Sequence, residues 1–219
     1  MIIVGICGGS GSGKSTFAER IRDGLSCSCE IMRLDCYYFD QGGKPFEERT
    51  KVNYDSPKIF DFDEMLEDIR LLLDGKPVTR KGYNYAEHRR DDSEELMYPP
   101  EVLIIEGIHV FYDDRICDIM NLKLFIKVDS DICLLRRIAR DMNERGRSLE
   151  SISEQYKATV KPMREKYIDK YIDKADVVVM RGGMNEQALK TTISYLKSCV
   201  KEQRPAESEK NESDGNDSE

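Results

Sequence analysis

The stretch Gly8-Gly9-Ser10-Gly11-Ser12-Gly13-Lys14-Ser15-Thr16 decides how the rest of the chain is read. An unbroken apolar run, Ile2-Ile3-Val4-Gly5-Ile6-Cys7, precedes it, and Phe17-Ala18-Glu19-Arg20-Ile21 follows with helical spacing. The pattern is G-x-x-x-x-G-K-[ST] between a strand and a helix, the context that gives it meaning. Glycines let the backbone curl until successive N–H groups point at one anion. The helix N-terminus adds its partial positive charge. Lys14 has the reach for β- and γ-phosphates, and the Ser15 hydroxyl can ligand Mg²⁺. The loop predicts nucleoside triphosphate binding and leaves the fate of the γ-phosphate open.

Glu30-Ile31-Met32-Arg33-Leu34 reads as a second strand, with Asp35 directly at its carboxyl end. In open parallel sheets that edge is where ligands bind, so Asp35 is a catalytic candidate. Residues 36–60 carry no periodicity, and loops of that length in a compact domain are usually functional. Asp61 to Asp74 reads as a helix with Phe62, Met65, Leu66, Ile69 and Leu73 on one stripe, Asp61 as N-cap and Gly75 as stop. Val78 to Tyr85 predicts a short antiparallel excursion leading into Tyr83-Asn84-Tyr85-Ala86-Glu87-His88.

Val102-Leu103-Ile104-Ile105-Glu106 has the form of a Walker B strand, whose terminal acid holds Mg²⁺ directly or through water. His109, three residues on, reads as a packed or polar-satisfied residue rather than a base. A strand at 121–128 and a helix at 131–143 follow. The helix carries Arg136, Arg137 and Arg140, and Arg145 and Arg147 flank Gly146 just beyond it. Such a cluster on an acidic protein requires an anion. Glu150 and Glu154 are candidates; a triphosphate under a mobile Arg-bearing lid is the sharper one. The helix from Ser151 to about Lys170 should kink or break at Pro162. A last strand at 176–180 and a helix at 187–200 complete the alternation. The expected fold is α/β: a doubly wound, mostly parallel sheet of the P-loop NTPase type, with an acceptor-binding insert and an Arg-bearing lid at about 141–160.

Composition narrows the function. Of the 219 residues, 39% are hydrophobic and 35% charged, and the net charge of −8 leaves no electrostatic footprint for nucleic acid. No run approaches the ~20 apolar residues of a membrane span. The chain opens directly on a strand, so no leader is expected. The seven cysteines are an odd number without zinc spacing, which predicts reduced thiols and a cytoplasmic setting. Residues 1–203 are expected to form one domain. Residues 204–219 hold six acids (Glu207, Glu209, Glu212, Asp214, Asp217, Glu219) against Arg204 and Lys210, an acidic disordered tail by composition.

Taken together these segments resemble the uridine/cytidine kinases, a branch of the P-loop kinases. The residues that carry the resemblance are the loop at 8–15, Asp35-Cys36-Tyr37-Tyr38, Asn53-Tyr54-Asp55-Ser56-Pro57, Tyr83 to His88, and Glu106-Gly107-Ile108. Further along they are Arg137-Ile138-Ala139-Arg140-Asp141, Glu144-Arg145-Gly146-Arg147, Gln155-Tyr156, Val160-Lys161-Pro162 and Ala175-Asp176-Val177. The resemblance implies transfer of the γ-phosphate of ATP (or GTP) to a nucleoside 5′-hydroxyl, with Mg²⁺ on Ser15 and Glu106. Asp35 would be the general base, assisted by Lys14, Arg140 and Arg145. Gly8 to Thr16 would hold the donor phosphates. Tyr38 would frame the acceptor, Asp55 and Arg137 would hold the ribose hydroxyls, and Tyr83 would pack on the pyrimidine. His88 and Arg147 would read its polar edge, and Gln155 would complete the pocket. The resemblance also implies a homo-oligomer, a dimer or tetramer. Leu34, Ser56 and Met184 depart from the family pattern.

Two other readings stay open at this point. A sister kinase acting on ribulose 5-phosphate or pantothenate would share the loop and the Walker B acid. A non-catalytic nucleotide-binding module would not require Asp35. A regulatory GTPase is disfavoured, because no Asn-Lys-x-Asp run occurs in the chain.

Overall fold

The computed structural model describes residues 1–85 and 87–204, so Ala86 and the acidic tail from residue 205 lie outside the described residues. The central sheet is parallel throughout and has five strands: β1 (Ile2–Gly8), β2 (Cys29–Arg33), β5 (Val102–Glu106), β6 (Leu122–Lys127) and β7 (Val177–Met180), in the order β2-β5-β1-β6-β7. The antiparallel part is a separate two-stranded hairpin, β3 (Val78–Asn84) with β4 (Arg89–Met97). The helices are α1 (Lys14–Gly24), α2 (Phe46–Arg49), α3 (Phe62–Leu73), α4 (Asp114–Asp118), α5 (Ser130–Asn143), α6 (Leu149–Gln155), α7 (Lys161–Lys166) and α8 (Glu186–Gln203).

The run at β1 is apolar without alternation because both faces are covered. Ile2, Val4 and Ile6 pack with Phe17 and Ile21 of α1 and with Leu189 and Leu196 of α8. Ile3 and Cys7 point the other way, into a core with Met65, Ile69 and Leu72 of α3 and with Phe111. The period of two along the strand is therefore present as a division between two cores.

α3 begins as expected: the Asp61 carboxylate accepts the Glu64 amide at 2.9 Å. Its stripe differs at one position. Leu72 is buried at 1% exposure and Leu73 is 48% exposed. Both positions continue an i+3 or i+4 series from Ile69, and the core with Met65, Leu66 and Ile69 takes the former. Beyond α6 the chain does not break at Pro162. Tyr156–Val160 form a π-helical turn and Pro162 lies in the first turn of α7. Proline cannot donate to the carbonyl four residues back, and the widened turn absorbs that mismatch. Among the described residues no helix is long and apolar enough to cross a membrane. All seven thiols are free, and burial raises those of Cys7 and Cys29 to about 12, so they stay protonated.

Leu72→Ala is expected to cost about 2–5 kcal/mol in chemical denaturation. Leu73→Ala is expected to stay within about 0.5 kcal/mol of the parent. Equal costs at the two positions would contradict this placement of α3.

Candidate active site

The parallel register sets out the site. Glu106 at the end of β5 pairs with Ile6 of β1 and with Arg33 of β2. The phosphate loop after β1, the acid after β5 and the turn after β2 therefore share one edge of the sheet. Gly11 and Gly13 have φ of +83° and +90°. A Cβ on Gly11 would lie 2.3 Å from the Cys133 carbonyl oxygen, and one on Gly13 would lie 2.9 Å from the Gly183 amide nitrogen. Only glycine fits either position. The loop is clamped between α5 and the turn after β7, and Lys14, Ser15 and Thr16 open α1, whose first N–H groups have no helical acceptor. Ser12 is buried beneath the loop. The Arg164 guanidinium lies 3.6 Å from where a Gly9 Cβ would stand, held by Asp169 and by the Val128 carbonyl.

The Ser15 hydroxyl donates to Glu106 Oε1 at 2.9 Å. Two hard oxygen donors at the foot of a phosphate loop fit Mg²⁺, which keeps several waters and takes phosphate oxygens as its other ligands. Burial raises the Glu106 carboxyl above its ordinary value, and Lys14 pulls it partly back.

Asp35 lies in the 3₁₀ turn Leu34–Tyr37, directly after β2. Its Oδ2 accepts the Tyr85 hydroxyl at 2.5 Å. The Arg145 guanidinium sits over the Tyr85 ring at 4.1 Å from its centre. One tyrosine of the hairpin thus joins the strand-end carboxylate to Arg145, beyond the end of α5.

Next to these groups is a cavity of about 300 Å³. Ser10 of the phosphate loop stands at its wall, together with Tyr38, Asp55, Tyr83, His88, Arg137, Arg140, Arg145, Arg147 and Gln155. The structure brings all the acceptor-side residues named from the sequence into one space. Tyr38 stacks on Phe60 at 4.4 Å and meets Tyr83 at 4.6 Å. Tyr54 stacks on the His88 ring at 5.1 Å. His88 holds a left-handed backbone with φ of 51° at the tip of the hairpin. Burial and then the positive charges of Arg147, Arg49 and Arg145 lower its pKa, so its ring is neutral at pH 7 and offers one donor and one acceptor.

Asp55 is buried, which raises its carboxyl, while Arg137 and the Thr159 hydroxyl pull it back. Thr159 donates to Oδ2 at 2.8 Å, and Arg137 stands 3.9 Å from Oδ1. Arg137 also donates to the Ser10 hydroxyl at 3.2 Å and to Gln155 Oε1 at 3.0 Å. Arg147 reaches the same Gln155 oxygen at 2.5 Å. Thr159 is carried by the π-helical turn, so the irregularity around Pro162 delivers a contact to the cavity.

The arginine cluster does not pair with Glu150 or Glu154. Its counterion is Asp141, which is fully buried. The guanidinium groups of Arg140, Arg145, Arg137 and Arg147 stand 2.8, 3.3, 3.5 and 3.7 Å from its oxygens. The partner is the acid next to Arg140, and not the acids of the following helix; its place on the buried side of an amphipathic helix was the available signal. Tyr54, Tyr85 and Thr159 were also missed as site residues. Tyr85 could have been found from Tyr83, since alternate residues leaving a strand share a face.

The raised carboxyl of Glu106 has a consequence for stability. Its contribution is complete below the ordinary value of 4.5 and is lost as pH rises through the raised native value. In the ligand-free protein Glu106→Gln is therefore expected to raise the melting temperature at pH 7, and the gain should vanish toward pH 4. A gain of ~1 kcal/mol would read as about 2–4 °C in a chain of this size. A lower melting temperature for the variant at pH 7 would contradict the sign.

Comparison with known proteins places this geometry. A model described as the Phosphoribulokinase / Uridine kinase family matches residues 3–188. The chain is 42% identical over 201 residues to a uridine kinase of Ligilactobacillus salivarius, covering 91% of this chain and 94% of the relative. It is 42% identical over 204 residues to a uridine kinase of Streptococcus gordonii, covering 93% and 97%. Among solved structures, the phosphoribulokinase from Rhodobacter spheroides shares the fold at a TM-score of 0.56 and 13% identity, covering 82% of this chain and 69% of that one. With the family model spanning most of the chain and relatives 42% identical over more than nine tenths of it, the chain belongs to the phosphoribulokinase/uridine kinase family.

Proposed function

We propose that this chain is a uridine/cytidine kinase that transfers the γ-phosphate of ATP (or GTP) to the 5′-hydroxyl of uridine or cytidine. The observation that carries this reading is the cavity beside Ser10. An aromatic wall, a carboxylate–guanidinium pair and a neutral histidine line one space that opens on the phosphate loop. Its volume of about 300 Å³ is at the small end of ligand sites, which span ~300–1,000 Å³. A planar base suits the Tyr38, Tyr54 and Tyr83 rings. Asp55 and Arg137 suit a pair of ribose hydroxyls, one group accepting and the other donating. The neutral His88 and the charged Arg147 suit the alternating donors and acceptors on a pyrimidine edge. Phosphoribulokinase and pantothenate kinase acceptors have no planar base for this wall.

The reaction requires removal of one proton and stabilisation of charge. Asp35 accepts the proton of the 5′-hydroxyl on one carboxylate oxygen while the Tyr85 hydroxyl fixes the other. Lys14 and the loop amides hold the donor phosphates. Arg140 and Arg145 swing from Asp141 toward the transferring group as the lid closes. Gln155 keeps Arg137 and Arg147 in register over the acceptor. Ser15 and Glu106 would hold Mg²⁺, which would neutralise part of the phosphate charge. The enzyme works in the cytoplasm as a homo-oligomer, a dimer or tetramer, with no nucleic-acid or membrane partner; this part rests on the resemblance and on composition.

The discriminating experiment offers uridine, cytidine, pantothenate and ribulose 5-phosphate with ATP and Mg²⁺ and follows ADP release. Turnover with the two nucleosides alone is expected; turnover with pantothenate or ribulose 5-phosphate instead would overturn the assignment. Asp35→Asn is expected to lower kcat by about 10²–10⁴ while ATP affinity stays within about twofold of the parent. His88→Ala is expected to raise the KM for uridine and leave background ATP hydrolysis unchanged.

A further inference from the structure

His109 has no part in the mechanism above, yet it is one of the most completely enclosed polar side chains of the protein, at 0% exposure. It lies three residues beyond Glu106, inside a box of aromatic edges. The rings of Tyr171, Tyr167, Phe60 and Tyr112 surround it at 5.8, 5.9, 5.9 and 6.5 Å, each inclined steeply to the imidazole. If packing were all that the position required, an aliphatic side chain would fill such a box. Instead both ring nitrogens are engaged. Nε2 stands 2.7 Å from the Asp55 carbonyl oxygen, and Nδ1 stands 2.9 Å from the Tyr171 hydroxyl.

The chemistry of the partners fixes the proton. Burial lowers the histidine to about 4, so the ring is neutral at pH 7 and carries one proton. A carbonyl oxygen only accepts, so that proton is on Nε2. Nδ1 then accepts from the Tyr171 hydroxyl. The bonds run in one direction, from Tyr171 through His109 to the main chain of Asp55. In so buried a box an unmade bond to that carbonyl would be costly, so the arrangement is firmly held.

The remaining groups of Asp55 are held from other sides. Its amide donates to Asn53 Oδ1 at 3.1 Å, and its carboxylate takes the Thr159 hydroxyl and faces Arg137. His109 supplies the anchor on the carbonyl, from the segment that follows β5. We infer that His109 is a positioning residue for acceptor specificity: its Nε2–H bond to the Asp55 carbonyl sets the Asp55 carboxylate where the ribose hydroxyls bind, and Tyr171 fixes the tautomer that makes that bond. This rests on Asp55 being the ribose contact.

A packing role and a positioning role differ in what they do to ribose recognition. A site built to hydrogen-bond a hydroxyl discriminates strongly against the analogue lacking it, and loosening one of its groups erodes that discrimination. The test measures dissociation constants of uridine and of 2′,3′-dideoxyuridine by calorimetry, on the full chain, for the parent, His109→Leu, His109→Gln and Tyr171→Phe, with thermal unfolding of each. His109→Leu is expected to weaken uridine about tenfold and to leave dideoxyuridine within about twofold. Glutamine, which can present an N–H to the same carbonyl, is expected to restore uridine binding to within about threefold of the parent. Tyr171→Phe should shift uridine in the same direction by about threefold. Equal weakening of both nucleosides, or no change for uridine, in folded His109→Leu would overturn the inference. Should that variant fail to fold, unchanged ribose discrimination in Tyr171→Phe would overturn it. A parent that binds the two nucleosides equally removes Asp55 as the ribose contact and the inference with it, whereas a discriminating parent with unaffected variants overturns the inference alone.

Discussion

The Asp141 carboxylate is the one buried negative charge on which the lid side of the site depends. Four guanidinium groups converge on it within 2.8–3.7 Å. Without a counterion those cations would repel one another at the mouth of a cavity, and a buried carboxylate without them would carry a desolvation penalty of several kcal/mol. One carboxylate does not neutralise four cations. The surplus faces the cavity, where it favours an incoming polyphosphate and the charge that spreads over a transferring phosphoryl group. Burial keeps His88 neutral, and the same gathering of charge adds to it, because Arg147 and Arg145 both oppose its protonation. A single buried acid on α5 therefore gathers the cations at one wall of the cavity, where two of them also act on the histidine.

The sheet explains why these parts meet. Parallel strands deliver the phosphate loop, Asp35 and Glu106 to one edge, and the register that pairs Arg33 with Glu106 sets their lateral spacing. The acceptor wall comes from outside the sheet, from the hairpin of β3 and β4 and from the segment around Asp55. Two side chains join these independent pieces. Tyr85 bonds Asp35 and lies under Arg145, so the geometry of the proposed base is tied to the position of that arginine. Arg137 touches Ser10, Gln155 and the surroundings of Asp55, so it spans the donor and acceptor sides. Such ties suit a phosphotransferase, which gains from keeping the base out of action until both halves are assembled.

What was legible in the sequence was whatever local chemistry determines. The glycines of the loop, the Asp61 cap and the acid at the end of β5 each announce themselves within a few residues of chain. The arginine counterion did not, because acids stand on both sides of the cluster, Asp141 within it and Glu150 and Glu154 beyond it, and only burial singles out Asp141. β4 did not, because Arg89-Arg90-Asp91-Asp92-Ser93-Glu94-Glu95 shows no apolar alternation; its strand is set by pairing with β3. The choice between Leu72 and Leu73 depends on how α3 meets the rest of the core, which no local pattern encodes. His109 was correctly read as packed and polar-satisfied, but its bond to Asp55, 54 residues away, is a property of the assembled fold. The family resemblance supplied the acceptor residues that periodicity alone would have left as scattered tyrosines and arginines.

The central claim is that the base at the end of β2 and the cavity beside the phosphate loop act together on one hydroxyl of a nucleoside. The most direct measurement is phosphorus–proton correlation NMR of the product formed from uridine, ATP and Mg²⁺. The account predicts a single new phosphomonoester whose phosphorus couples to the two C5′ protons. Phosphate on a 2′- or 3′-oxygen, or inorganic phosphate as the sole product, would contradict it.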